Sequence, residues 1–534
     1  MDVVLGRRRP LACLAVIVGA LLMLLPAPAR ADLRWQPAQE IVGGPRVSEV
    51  TIKVDARGNA LATWGEVRGA NSWELFYAWR TPHGGWGPKR SLPYQQLGYP
   101  NAAPSLTPLG VATVVYRIGD SRVGVAIGLP GGALTLIDAL GGPDPNSGGF
   151  SDLATDDEGG FSVGWTGSDR GIYVATRSAA SARIALQQLA TDGVGTPPEV
   201  AVNPAGAAIA VWSDGQLNTR AAYRLPGATA FGPAEAVPAA WGDIYATIDD
   251  QGTALVSSYN TATVRPMLAA FGPPQRVDAM ARVAGLAPEP GGSLSLVFSA
   301  VNLALENPFG ALTITRRSPE GALSAPVLLA DVPSCFPATA SSPAGDLLVA
   351  YVQPCEGAGL NAQVRLRRTA ASGFDPPIDL QGSGGASPAL TGTGEGIVAF
   401  ARGPFSLASM ALEDLDRPVP PPPTQAQLDG HSLVLPATGQ VGLRVRCPVR
   451  CKVRPTGILI MPSLLTGSQH SKTRRLAAKK RMRVVVGFSR ARVVKARRAL
   501  RRGERVTLSY TVTTFGRSAR ALAQSRIVRL RTER

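Results

Sequence analysis

The chain has 534 residues, with 55 Lys and Arg against 38 Asp and Glu, so its formal net charge is +17 at neutral pH. This charge is divided: residues 425–534 contain 26 basic and 3 acidic residues, whereas residues 32–417 contain 25 and 34. Only three histidines are present, which excludes the multi-histidine metal sites of many hydrolases, and we expect neither a metal nor a cofactor. About 500 residues also exceed a single compact core, so several domains or a repeat array must be present.

The first 31 residues have the pattern of a secretory signal peptide. Arg7–Arg9 form a basic start, Leu11–Leu25 an apolar stretch, and Ala29–Ala31 a small-x-small cleavage site before Asp32. The alternatives are an uncleaved anchor and export by the twin-arginine route. No later stretch approaches the ~20 apolar residues of a membrane span. We therefore expect a secreted protein that is soluble or associated with the cell wall.

A short pattern recurs through residues 32–417: a turn ending in glycine, a run of small and aliphatic residues, and an aromatic residue. VNPAGAAIAVW, which ends at Trp212, is one copy, and SSPAGDLLVAY, which ends at Tyr351, is another. Eight copies align, and in seven the aromatic residue follows the glycine by six positions. The glycines are Gly58, Gly110, Gly159, Gly206, Gly252, Gly292, Gly345 and Gly394; the aromatic residues are Trp64, Tyr116, Trp165, Trp212, Tyr259, Phe298, Tyr351 and Phe400.

Each copy predicts about four short antiparallel strands. Segments such as DARG and NPAG predict tight turns: the side chain of Asp or Asn can accept hydrogen bonds from the local backbone, and Gly can adopt a positive φ. The apolar run that follows predicts a strand covered on both faces. A second extended run then often carries Arg, as in LFYAWR, IYVATR and TRAAYR.

About 48 residues per copy is typical of a β-propeller blade. We predict an all-β fold with an eight-bladed propeller over residues 32–417, or a seven-bladed one as the alternative. The small-residue strands should lie innermost, and the aromatic residues should pack between blades. Tandem β-sandwiches fit less well, because each needs about 100 residues. The last copy is short, and we expect the segment Leu33–Pro37 to supply its missing outer strand.

A proline-rich linker at residues 418–424, containing PVPPPP, separates the propeller from residues 425–534. About six alternating runs beyond it predict a small β-sandwich. Ser489–Gly503 reads as a helix, with Ser489 as its cap and Gly503 as its stop. Its apolar side is expected to hold the following residues: Val493, Val494, Ala496, Ala499 and Leu500.

Two basic clusters in this last region predict binding to a polyanion such as an anionic wall polymer or a membrane surface; a merely solvated surface is the alternative. Aromatic residues for base stacking are few, so we do not expect sequence-specific nucleic-acid binding. The residues assigned to polyanion binding are Lys472, Arg474, Arg475, Lys479, Lys480, Arg481, Arg483, Arg497, Arg498, Arg501 and Arg502.

Four cysteines follow the signal peptide. Because export permits disulfides, the two close pairs predict Cys335–Cys355 and Cys447–Cys451. A zinc site built from the four thiolates is the alternative.

The sequence assigns no catalytic residue. It contains neither a G-x-S-x-G elbow nor a P-loop, and carboxylates such as Asp249–Asp250 lie in the repeated turns, where turn formation explains them. We expect a non-enzymatic binding or scaffold protein, with carbohydrate or protein as the propeller's ligand. The alternative is a glycoside hydrolase or lyase with two carboxylates from different blades.

The repeat, close to D-x-x-G-x-A-x-x-x-W, resembles that of a group of exported, largely uncharacterised bacterial propeller proteins. These carry a C-terminal, cysteine-bearing, Arg-rich β-sandwich of Ig-like type. The resemblance covers nearly the whole mature chain and implies the fold and a secreted location. It implies no catalytic residue.

Overall fold

A computed structural model gives the architecture. It describes residues 33–44, 46–48, 50–69, 72–93, 102–108, 110–118, 122–140, 145–150, 153–156, 159–177, 184–193, 197–238, 244–258, 260–277, 281–301, 309–354, 361–369, 373–382, 384–413, 427–429, 432–436, 438, 440–446, 451–461, 464–467, 474–476, 481–502, 506–515 and 521–531. The predicted signal peptide and proline linker lie outside these ranges.

Residues 33–413 form eight antiparallel sheets, which are the blades of a β-propeller. Two N-terminal strands, β1 (Arg34–Trp35) and β2 (Gln39–Gly43), precede blade 1. Blade 1 contains β3 (Thr51–Val54), β4 (Ala60–Gly69), β5 (Ser72–Arg80) and β6 (Arg90–Ser91). Blade 2 contains β7 (Ala102–Leu106), β8 (Ala112–Ile118), β9 (Arg122–Gly128) and β10 (Thr135–Leu140). Blade 3 contains β11 (Pro145–Phe150), β12 (Ala154–Thr155), β13 (Phe161–Gly167), β14 (Ile172–Arg177) and β15 (Ala185–Ala190).

The next three blades repeat this order. Blade 4 contains β16 (Glu199–Val202), β17 (Ala208–Ser213), β18 (Thr219–Arg224) and β19 (Glu235–Ala236). Blade 5 contains β20 (Ile244–Ile248), β21 (Ala254–Ser258), β22 (Thr261–Arg265) and β23 (Gln275–Arg276). Blade 6 contains β24 (Ala281–Pro288), a 3-10 turn (Pro290–Gly292), β25 (Leu294–Val301), β26 (Phe309–Arg317) and β27 (Val327–Ala330).

The last two blades complete the ring. Blade 7 contains β28 (Cys335–Ser341), β29 (Leu347–Gln353), β30 (Asn361–Arg367) and β31 (Ile378–Asp379). Blade 8 contains β32 (Ala386–Leu390), β33 (Gly396–Gly403) and β34 (Ser406–Glu413). Both β1 and β2 pair with β34, so the N-terminal segment supplies the outer edge of blade 8, as the sequence predicted.

The repeated sequence pattern has a direct structural counterpart. All eight turn glycines have positive φ, between 82° and 91°. The apolar run after each glycine forms the second strand of its blade, and strands such as β8, β13 and β17 are buried along their whole length. The described aromatic residues of the series are at most 2 % exposed, and the apolar clusters they join each span two neighbouring blades. Packing between blades is therefore confirmed; Tyr259 lies outside the described residues.

The radial position of the small-residue strands differs from the prediction. The first strands of successive blades lie side by side around the ring, from β3 through β7, β12, β16, β20, β24, β28 and β32 back to β3. These first strands, and not the small-residue ones, line the axis. The small-residue strand is one place further out, between the first and third strands of its own sheet, and in blade 4 it also packs against blade 3.

The C-terminal region contains two sheets and one helix. One sheet joins β35 (Gln427–Asp429), β37 (Gln440–Arg446) and β41 (Arg481–Gly487). The other joins β36 (Ser432–Val434), β43 (Ala521–Arg531), β42 (Thr507–Phe515), β38 (Cys451–Met461) and β39 (Leu464–Gly467), with β40 (Arg474–Leu476) also on β38. Helix α1 (Arg490–Arg501) packs into the same apolar cluster as both sheets. Assignment of this region to an Ig-like sandwich stays a prediction.

Candidate functional site

One end of the propeller, here called the turn face, carries the glycine turns between first and second strands and the turns between third and fourth strands. In seven of the eight glycine turns the first side chain accepts a hydrogen bond from local backbone; the exception is Glu289 of blade 6, which binds the Ser295 hydroxyl and two arginines. Asp249 Oδ1 accepts hydrogen bonds from Gln251 N at 2.9 Å and Thr253 N at 2.8 Å, and Asn203 Oδ1 accepts one from Ala207 N at 2.8 Å. These polar groups are therefore occupied by turn formation, as the sequence indicated.

An arginine ends the third strand of six blades on this face. Each of these arginines interacts with a carboxylate of the preceding blade, by an ion pair or by electrostatic attraction. The pairs are Arg80 with Glu413, Arg177 with Asp138, Arg224 with Asp156, Arg265 with Glu235, Arg317 with Asp249, and Arg367 with Glu289. We call this set the arginine ring.

The arginine ring is largely buried. Burial lowers the pKa of Arg224 and of Arg317 from their usual values, while the carboxylates of Asp156 and Asp249 act in the opposite direction. Charges removed from water in this way are costly unless they are paired. The ring therefore links neighbouring blades electrostatically, which accounts for the arginines in the sequence runs that follow the aromatic residues.

The seam between blades 8 and 1 contains a cleft on the turn face. Its volume is about 290 Å³, part of it open to solvent, and both blades line it. Arg80 Nη2 lies 2.7 Å from Glu413 Oε1, and the backbone N–H of His83 donates to the same oxygen at 3.2 Å. His83 Nε2 lies 3.9 Å from Glu395 Oε1 across the cleft. Two carboxylates, one imidazole and one guanidinium thus converge here.

Further contacts close this seam. Trp86 Nε1 donates to Ser409 Oγ at 2.9 Å, and the backbone N of Ile52 donates to Ser387 Oγ at 3.1 Å. Every one of these bonds joins residues more than 300 positions apart in the chain. The cleft therefore has walls that are fixed by the closure of the ring.

The axial strands offer less polar chemistry. Among the described first strands, β3, β7, β12, β16, β20, β24, β28 and β32, the one acidic residue is Glu199. Burial, with the Glu199 carboxylate nearby, raises the pKa of Tyr245 on the next blade. Small residues such as those of ASPAL in β32 predominate. These strands hold no convergent pair of carboxylates of the kind that glycoside hydrolysis requires.

The predicted polyanion-binding residues lie in three elements of the C-terminal region. Arg474 and Arg475 are in β40, and Arg481 and Arg483 are in β41, two strands that lie close to each other. The others lie in or just after helix α1: Arg497, Arg498, Arg501 and Arg502. Lys472, Lys479 and Lys480 lie outside the described residues.

Helix α1 has two distinct faces. Val493, Ala496 and Ala499 are buried in the core, and Leu500 packs against them. The exposed basic side chains are Arg490, Lys495, Arg498, Arg501 and Arg502. Arg498 and Arg501 occupy the last turn, where positive charge complements the helix dipole.

Three details of the helix differ from the sequence prediction or extend it. Val494 is 50 % exposed and not on the apolar side, because one residue rotates the helix by about 100° from Val493. Ser489 is the N-cap by position, but its side chain makes no capping hydrogen bond. Gly503 lies outside the described residues.

The cysteine pairings stay predictions. Cys335 is buried at the start of β28, and its thiol lies 3.8 Å from the carbonyl oxygen of Val352. Cys451 is the first residue of β38. Cys355 and Cys447 lie outside the described residues. Among the described residues, no three His, Cys, Asp or Glu side chains come together in a way that could hold a metal ion.

No protein-family model matches the chain, and no curated protein sequence matches it. Solved structures with a similar course of the chain include a protein of unknown function from Dyadobacter fermentans, with 11 % identity, a TM-score of 0.36, and coverage of 71 % of this chain and 99 % of that one. The WD40 domain of SCAP from fission yeast has 10 % identity, a TM-score of 0.39, and coverage of 71 % and 98 %. The β-propeller domain of the Trilobed protease from Pyrococcus furiosus has 8 % identity, a TM-score of 0.37, and coverage of 64 % and 98 %.

Similarity of this degree carries no information about activity. The chain itself forms an eight-bladed β-propeller. No described helix is both long and apolar enough to span a membrane.

Proposed function

We propose that the protein is an exported, non-enzymatic binding protein. Its propeller presents a ligand surface, and its basic C-terminal region attaches it to an anionic polymer of the cell envelope. The observation that carries the attachment is the solvent face of α1, where every exposed charged side chain is basic. Arg475 and Arg483, exposed on β40 and β41, extend the positive surface.

The packing of α1 favours a polymer over a lipid bilayer as the partner. Amphipathic helices bind membranes by inserting their apolar face between lipids. In this chain Val493, Ala496 and Ala499 are buried in the domain core, so the solvent face of the helix offers its cations and, as one apolar side chain, the half-exposed Val494. Attachment would then be electrostatic and sensitive to salt.

The glycoside-active alternative has weaker support. Its best carboxylate pair is Glu395 and Glu413 at the seam. Glu413, however, accepts hydrogen bonds from both Arg80 and the His83 backbone, and an engaged carboxylate is a poor general base or nucleophile. We therefore favour binding over catalysis.

Attachment can be tested by co-sedimentation of the mature protein with purified envelope fractions across a salt series. The double variant Arg498→Gln/Arg502→Gln should bind about thirtyfold more weakly, because each cation near an anionic surface contributes about 1 kcal/mol. The matched control is Arg276→Gln/Arg402→Gln, two exposed arginines of the propeller, which should bind like the unmodified protein.

Two results would contradict the proposal. One is retention that survives 1 M salt unchanged; the other is equal weakening in the two double variants. Binding to anionic lipid vesicles in preference to envelope polymer would identify a membrane surface as the partner and would reject the polymer.

A further inference from the structure

We infer that the seam cleft between blades 8 and 1 binds a small polyhydroxylated ligand, such as one sugar residue, through His83 and Glu395. This inference rests on the proposed role of the propeller as a binding surface and gives that surface a site and a ligand class.

His83 occupies a position that equivalent turns give to glycine. In three of the four-residue turns that join a third strand to a fourth, the second position of the turn is proline and the third position has a positive φ. The third residue is His83 at φ 55° in blade 1, Gly131 at 73° in blade 2, and Gly227 at 74° in blade 4. Their closing hydrogen bonds are Gly84 N to Thr81 O at 3.0 Å, Gly132 N to Leu129 O at 2.8 Å, and Ala228 N to Leu225 O at 3.1 Å.

A side chain at such a φ strains the backbone, and glycine would avoid the strain. Strained residues that are kept in a cleft point to a function for the side chain. His83 is, moreover, one of only three histidines in the chain.

The surroundings of His83 hold its imidazole toward the cleft. Glu413 binds the His83 backbone N–H, and Glu413 is itself fixed by Arg80, which is 3 % exposed. The distance of 3.9 Å between His83 Nε2 and Glu395 Oε1 is too long for a hydrogen bond. One hydroxyl oxygen can lie at about 2.8 Å from both atoms, accepting from the imidazole and donating to the carboxylate.

Arg80 offers a second point of recognition. Arg80 lines the same cleft, and its Nε is buried without a hydrogen-bond partner among the described residues. A buried donor without a partner is costly, so a shift of the side chain that let a ligand oxygen reach this Nε would be favoured. A vicinal diol would supply one oxygen for the imidazole of His83 and the carboxylate of Glu395, and a second oxygen for Arg80.

The charges of the cleft select against other ligands. Arg80 compensates Glu413, whereas the cationic group that faces Glu395 across the cleft is the imidazole of His83; Glu395 Oε2 already accepts a hydrogen bond from the Thr393 hydroxyl at 3.2 Å. A phosphate or carboxylate ligand would meet both glutamates and be repelled. The cleft is shallow, and part of its volume of about 290 Å³ is open solvent, so it can receive one hydroxylated edge of a small ligand while the rest of the ligand stays in water.

The test is ligand-observed saturation-transfer NMR on the mature protein with millimolar glucose, galactose, mannose, rhamnose and N-acetylglucosamine. We expect a saturable signal from at least one sugar. His83→Gly should abolish it while the Tm rises by about 1–2 °C, because glycine relieves the strained turn. Glu395→Gln should weaken binding about tenfold with little change in Tm.

The matched control is Gly227→His, which places histidine at the equivalent turn of blade 4, remote from the cleft. It should lower the Tm and leave sugar binding unchanged. The inference is overturned if no sugar gives a saturable signal or if His83→Gly binds as the unmodified protein does. It is also overturned if the simple cation ethylammonium saturates the site, because the cleft would then recognise positive charge and not hydroxyl groups. Envelope attachment of His83→Gly should stay salt-sensitive and unchanged, so failure of this site is distinguishable from failure of the proposed attachment.

Discussion

At the scale of single residues, the repeat is a solution to one local problem, the tight turn between first and second strands. Glycine is needed because φ near +85° is open to it at little cost, and an Asp, Asn, Ser or Thr at the start of the turn binds the backbone amides that the turn leaves free. Both requirements are local, so the glycine is visible in the sequence eight times and the capping side chain seven times, with Glu289 in its place in blade 6.

Replacing Gly206 with alanine isolates the cost of this backbone conformation. A β-carbon there would meet only Asp156 Oδ2, at an ordinary 3.5 Å, so the penalty comes from φ +85° and not from a clash. We expect Gly206→Ala to lower the free energy of unfolding by about 1–2 kcal/mol. Thermal or urea unfolding measures this, with Gly85→Ala as control, since Gly85 has open space around it and no positive φ. Equal effects at the two sites would show that the turn does not require glycine.

At the scale of secondary-structure elements, the sequence predicted the strands but not the electrostatic pairing of the third strand with the preceding blade. Its terminal arginine forms an ion pair with a carboxylate of the preceding blade in three blades and is attracted electrostatically by one in three more. The arginines were visible, but their partners were not, because they come from a neighbouring blade and at no fixed spacing. Partners at the ends of different sheets are decided by how the blades pack.

The pair between blades 6 and 7 provides a test of the arginine ring. Glu289 is 4 % exposed and binds Arg367 at 2.5 Å and Arg316 at 2.9 Å. Glu289→Ala leaves Arg367 buried without its carboxylate and should cost about 3 kcal/mol of unfolding free energy. Glu74→Ala, which breaks the exposed Arg68–Glu74 pair, should cost less than about 1 kcal/mol. Similar losses in the two variants would mean that the ring does not stabilise the blade interfaces.

At the scale of the whole molecule, the ring closes because the two ends of the propeller share blade 8. The N-terminal strands pair with β34, and Val42, Leu33 and Trp35 join apolar clusters with blades 1, 7 and 8. Full burial of such a side chain contributes about 1.5–3 kcal/mol, which applies to Val42; Leu33 and Trp35 are partly buried and contribute less. Even a few kcal/mol is a large part of the stability of a typical domain.

Removal of residues 32–45 should therefore abolish cooperative unfolding of the propeller. Calorimetry or circular dichroism of the melt measures this, and we expect a broad transition at lower temperature. The double variant Arg34→Ser/Glu40→Ser, which changes exposed residues but keeps the strands, is the control and should melt as the unmodified protein does. A deletion variant with the same sharp transition would contradict closure by this segment.

The candidate sites differ in how far the sequence could reveal them. The basic face of α1 was predicted because charge and helical periodicity are both local. The seam cleft was missed, although Pro82–His83 among Pro-Gly turns was a visible signal. His83 and Glu413 are 330 positions apart, and no pattern along the chain connects them.

The sequence by itself determined the propeller repeat, the turn glycines, the aromatic residues between blades and the contrast between an acidic propeller and a basic C-terminal region, whereas the structure decided for eight blades over seven. These follow from backbone conformation and from the alternation of burial along short segments. Only the tertiary structure decided which strand lines the axis, which carboxylate each arginine meets and what surrounds His83. Those outcomes depend on packing between blades and on ring closure, which bring together residues that no local spacing relates.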